Sequence, residues 1–112
     1  MGVRKLESNA ETAMQYDTHR HLDLRIQRYL FRCPPAVAGQ YGHAQTFKVA
    51  CALVWGFALP RDVALHYLEL YNKRCQPPWS SAELAHKIDS ALQAPCSKPI
   101  GYLRCLANNP YA

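Results

Sequence analysis

Two groups of residues in this chain have the types and spacing to engage a ligand. Arg25, Arg28 and Arg32 are three and four residues apart, which puts them on one stripe of a helix about 10 Å long. Such a stripe can track a phosphate backbone, and it is equally the pattern of a solvated face. The second group is the stretch P-P-A-V-A-G-Q-Y-G-H-A-Q-T-F-K, residues 34–48. Gly39 and Gly42 permit backbone conformations closed to other residues. The apolar run that follows predicts a helix, whose unpaired first-turn N–H groups around His43–Thr46 carry partial positive charge. A phosphate fits there, with Thr46 and His43 as side-chain donors and Lys48 one turn on. A flexible turn with a polar cap is the alternative. Lys48 lies seven residues before Trp55, so a cation and an aromatic surface share one side of that helix, as in sites that stack bases of a single strand. Packing of Trp55 against a neighbouring helix explains the same pattern.

The chain carries none of the usual catalytic motifs. It has no Ser-His-Asp motif, no H-E-x-x-H, no P-loop and no paired carboxylates. We therefore expect no catalytic residues, no enzyme activity and no cofactor. His19-x-His21 with Cys33, or Cys75 with Cys96, matches no common zinc spacing, and no metal site is expected. His66, four residues after Asp62, suggests a surface ion pair.

The chain has 112 residues, enough for one small domain, with net charge +5. That balance permits nucleic acid, phosphate ligands or acidic proteins as partners without choosing among them. Five cysteines with no C-x-x-C pair, no signal-peptide pattern and no apolar run of membrane length suggest a cytoplasmic protein with reduced thiols. Residues 1–18 are polar and without clear period, a weakly structured segment by expectation. A helical domain is expected over residues 19–107, with a tail at 108–112.

The elements that must position these groups are helices. No alternating β-branched run and no Asn-Gly or Asp-Gly turn signals a hairpin. The first helix is expected over residues 21–32, with Leu22, Ile26, Tyr29 and Leu30 on one face and Pro34-Pro35 ending it. The second runs from about His43 to Phe57; its apolar residues cover more than half the wheel, and Gly56 and Pro60 mark the stop. The third starts at Pro60 or Arg61 and continues to about Arg74, with Val63, Ala64, Tyr67, Leu68 and Tyr71 inward and Glu69–Lys73 as a surface pair. The fourth begins at a capping box, Ser80 with Glu83, behind a staple of Trp79 and Leu84; Leu84, Ile88, Ala91 and Leu92 face the core, and Pro95 closes it. A short fifth element is expected around Ile100–Leu106. The fold class is all-α, a compact bundle of four to five helices.

Two blocks, G-Q-Y-G-H-A-Q-T-F from Gly39 and Y-N-K-R-C-Q-P-P-W-S-S-A-E-L-A-H-K from Tyr71, resemble the helical C-terminal module of plasmid- and phage-type primases. The resemblance covers about Leu24–Leu103. This chain has Tyr41 where the family often has a third glycine, and Pro60 where a small capping residue usually opens the third helix. Neither a polymerase domain with its carboxylates nor a helicase P-loop accompanies the module, so priming activity does not carry over. The resemblance implies a non-catalytic accessory domain of a replication primase that holds single-stranded template or nucleotide phosphate. It adds Asn72, Arg74, Trp79, His86 and Lys87 to the candidate contacts Arg25, Arg28, Arg32, Gly42, His43, Thr46 and Lys48. The alternative is a protein-interaction module that docks on a primase or helicase without touching DNA.

Overall fold

Prolines and caps divide the chain much as the sequence predicts. In the computed structural model, which describes residues 21–104, helix α1 covers residues 21–32. Helix α2 spans Gly42–Cys51 and widens into a π-helical turn over Ala52–Gly56; α3 spans Arg61–Asn72 and α4 spans Ser81–Gln93. The described residues form an all-α bundle of four helices. Among the described residues there is no strand, only an isolated parallel bridge between Val37 and Gln76. The expectations for residues 1–18 and 108–112, and those involving His19, lie outside the described residues.

The core forms where apolar stripes meet. Ile26 and Leu30 of α1, Val49, Leu53 and Phe57 of α2 and its wide turn, Leu68 and Tyr71 of α3, and Leu84, Ile88 and Ala91 of α4 are buried together. Burying one such aliphatic side chain contributes about 1.5–3 kcal/mol. Helix α2 touches both α3 and α4, as expected of a helix apolar on most of its surface. Tyr29 meets Phe57 edge to face, with centroids 5.5 Å apart. The Tyr67 hydroxyl donates to the Asp23 carboxylate, tying α3 to α1.

Several expectations are corrected by the packing. Val63 and Leu92 are exposed, because Ala64 and Ala91, one position away on their helices, occupy the centres of the buried stripes. The second helix stops at Gly56 as expected, and the left-handed residue that turns the chain after it is Ala58, with φ 52°. Gly56 is needed for close approach, since a Cβ there would overlap the Leu103 side chain. Phe57 N–H bonds to Ala52 C=O at 2.9 Å, the wide turn's own hydrogen bond. Among the described residues the ion pair shown is Arg61–Asp89 between α3 and α4, at 2.6 Å, rather than His66–Asp62 or Glu69–Lys73. It holds the Arg61 guanidinium above and the Asp89 carboxyl below their usual ranges.

Described residues 100–104 form hydrogen-bonded turns rather than a fifth helix. They dock on the end of α2: Gly101 N–H bonds to Trp55 C=O at 2.7 Å, Leu103 N–H to Gly56 C=O at 2.8 Å, and Leu103 is buried. The capping box at the start of α4 is present in full. Ser80 Oγ accepts from Glu83 N–H, and Glu83 Oε1 accepts from Ser80 N–H, each at 3.2 Å. These bonds lower the Glu83 carboxyl pKa.

Candidate functional site

The two sequence blocks, far apart in the chain, meet at one place. The link starts at Asn72, near the end of α3. Its side-chain amide donates to Trp79 C=O at 2.9 Å and accepts from Trp79 N–H at 2.7 Å. This double bond pattern folds residues 73–79 into a loop, with a cis bond at Gln76–Pro77, and turns the Trp79 indole toward α2. The indole N–H then donates to Thr46 Oγ1 at 2.8 Å, while Thr46 donates to Gly42 C=O at 2.9 Å. The backbone bridge at Gln76, with Ala38 N–H to Gln76 C=O and Gln76 N–H to Ala36 C=O both at 2.9 Å, binds the glycine loop to the same segment.

Between the two loops lies a cleft of about 260 Å³, lined by Val37, Gly42, His43, Pro78, Trp79 and Glu83 among others. Gly39, at φ 81°, turns the chain along its edge. Gly42 is buried at the start of α2, where a Cβ would stand 3.1 Å from the Val37 carbonyl oxygen, so a larger residue would push the loop back by a few tenths of an ångström. Tyr41 precedes it in the left-handed region, φ 60°, with its side chain 89% exposed and no side-chain cap on α2. A non-glycine residue held there costs about 1–3 kcal/mol.

His43 lines one side of the cleft, and Lys87 reaches it from outside the lining. Lys87 Nζ lies 2.9 Å from His43 Nδ1, an α4-to-α2 contact between residues 44 apart in sequence. The His43 ring is tilted against Trp79 at 4.7 Å, and the Lys87 ammonium sits 5.0 Å from the Trp79 ring centroid. Three groups that sequence spacing kept separate are thus one cluster. Partial burial lowers the Lys87 pKa, with nearby Glu83 opposing.

Other candidates have different partners. Thr46 is fully buried, and its hydroxyl is committed to Gly42 and Trp79, so it is not a donor to a ligand. Arg74 donates to Leu30 C=O at 2.7 Å and Cys33 C=O at 2.9 Å, capping the carbonyl end of α1, and lies 5.6 Å from the Phe31 ring centroid. Arg25 Nε donates to Leu103 C=O at 2.6 Å and pins the C-terminal turn. Trp55 donates its indole N–H to Ala91 C=O at 2.7 Å, the packing role, and Lys48 stands in the last turn of α2 away from the cleft lining. Arg28, Arg32, Lys48 and His86 are exposed on the helix surfaces.

Sequence spacing did not show Glu83 as a cleft wall, nor the joining of the glycine loop to Gln76. The only available signal was the clustering of prolines and glycines in the two loops. Among the described residues no group of three or more His, Cys, Asp or Glu is placed to hold a metal ion, and no helix is long and apolar enough to cross a membrane. Comparison of the chain with family models, curated proteins and solved structures found no match.

Proposed function

We propose that the chain is a non-catalytic accessory domain of a replication primase that holds the phosphate backbone of single-stranded DNA or a nucleotide. The primase assignment rests on the resemblance of the two sequence blocks. One observation carries the binding role: both blocks converge on a single cleft, with the first turn of α2 on one side and the Lys87 ammonium beside it. Unpaired first-turn N–H groups and a cation are the usual partners of a phosphate. Arg28 and Arg32 add exposed positive charge on α1. Tyr41, held outward beside the cleft, offers a ring face to a base.

Amide chemical shifts on titration with a short oligothymidylate test this. Perturbations centred on Gly42, His43, Trp79 and Lys87 are expected. Shifts confined to other surfaces, or none at millimolar ligand, contradict it.

A docking role without DNA is favoured by a different observation. Phe31, Tyr41 and Ile100 are exposed at 79%, 89% and 68%. Exposed aromatic and aliphatic side chains suit a protein partner. Loss of partner binding in a Phe31→Ser, Ile100→Ser variant that still binds the oligonucleotide normally would give the two surfaces separate tasks.

A further inference from the structure

We propose that Phe31 is a base-stacking platform for single-stranded DNA, framed by Arg28, Arg32, Lys48 and Arg74; the inference rests on the single-strand role above and adds a base contact away from the cleft. Phe31 lies in the last turn of α1 with its side chain 79% exposed, so the ring stands in water where the packing of the core does not require it. The ring is nonetheless backed. Arg74, just past the end of α3, donates to Leu30 C=O at 2.7 Å and to Cys33 C=O at 2.9 Å, which brackets Phe31 in the chain. Its guanidinium carbon then sits 5.6 Å from the ring centroid. A cation covers one side of the ring, and the exposed remainder is open to a flat partner.

The charge around the ring is of one sign. Arg28 and Arg32 stand three residues before and one after Phe31, and both are exposed. Burial raises the Cys33 thiol pKa, and a Tyr29 hydrogen bond and the charges of Lys48, Arg74 and Arg32 oppose it. Three cations from three parts of the chain therefore lie within Coulombic reach of one point beside Phe31, and no carboxylate acts there. The ion pair shown among the described residues, Arg61–Asp89, neutralises none of them. Cations left without carboxylates call for an anionic partner, and a single strand brings phosphates together with a π-face on every base. An acidic peptide brings the charge as well, but its apolar anchor needs the walls of a pocket. The neighbours of Phe31 on this face are arginines, and the next exposed large apolar residue on α1, Leu24, is two turns away.

The test compares oligothymidylate with an abasic oligomer of the same length, by fluorescence anisotropy. Phe31→Ala, a change to an exposed side chain, should melt normally and bind oligothymidylate roughly tenfold more weakly. Its salt slope should be unchanged, and it should bind the abasic oligomer as the wild type does. Lys48→Gln should instead flatten the salt slope by about 0.7. In the wild type, the Phe31 ring protons should shift upfield on titration with oligothymidylate and stay in place with the abasic oligomer, a readout that needs no variant. Unchanged oligothymidylate affinity in Phe31→Ala, an equal loss on the abasic oligomer, or an unmoved Phe31 ring in the bound wild type overturns the inference. Each leaves the phosphate-binding role standing and the ring to a protein partner. Absence of oligothymidylate binding by the wild type overturns both.

Discussion

At the scale of single residues, the side chains most suggestive of ligand contact are divided between building the site and facing it. Asn72 builds it. Its amide meets both backbone polar groups of Trp79, and truncation leaves them unpaired in a partly buried place. Asn72→Ala should destabilise the fold by about 2–3 kcal/mol, measured by urea denaturation. A loss under about 0.5 kcal/mol would mean the clamp does not position the tryptophan. Ala58 tests backbone conformation in the opposite direction. It adopts φ 52°, which costs an L-residue about 1–2 kcal/mol, whereas glycine's greater unfolded-state freedom returns about half of that. Ala58→Gly should therefore stabilise by about 0.5–1 kcal/mol, and a destabilised variant would contradict the left-handed turn. Neither role was legible from the sequence. Asn72 and Arg74 stood among the candidate ligand contacts; their partners are backbone groups, which leave no mark in side-chain spacing.

At the scale of elements, much was legible, since local chemistry decides it. The Ser80–Glu83 box forms as its spacing predicts, and Ser80→Ala should cost about 1 kcal/mol through the lost cap. A thermal melt checks this, and an unchanged midpoint would contradict it. The inward stripes of α1, α3 and α4 follow the 3.6-residue period, although Val63 and Leu92 fall on their edges and stay exposed. The second helix is less legible. Its apolar residues run almost all the way round, so periodicity gives no sign that the last turn widens to a π-helix or that Ala58 turns left-handed just after it. The arginine stripe was legible as geometry but not as chemistry. Spacing puts Arg25, Arg28 and Arg32 together; only the fold shows that Arg25 holds the Leu103 carbonyl.

At the scale of the whole molecule, buried phenols link stability to alkaline pH. Burial raises Tyr71 to about 12, and burial with the adjacent Asp23 carboxylate raises Tyr67 to about 12. An unfolded tyrosine ionises near pH 10. Above that value the unfolded chain binds fewer protons than the folded one, so stability present below about pH 10 is lost as pH rises toward 12. Urea midpoints should fall steadily over that interval. Tyr71→Phe should fall less steeply, although it starts lower through loss of the 2.7 Å bond to Pro34 C=O. A flat midpoint to pH 11 would contradict the burial.

The cleft too is a property of the whole molecule, which is why the sequence showed its halves and not their meeting. The proposed role is electrostatic: we propose that a single strand is held by its phosphates. The most direct measurement is the affinity for oligothymidylate as salt is varied, compared between the wild type and Arg28→Gln, Arg32→Gln. We expect log affinity to fall linearly with log salt. The slope should flatten by about 0.7 for each phosphate contact removed, with helicity and melting unchanged because both arginines are exposed. Arg25 is left intact, since its bond to Leu103 would confound the result with folding. No salt-dependent binding in the wild type, or an identical slope in the folded variant together with unperturbed Gly42 and His43 amides, would contradict the account.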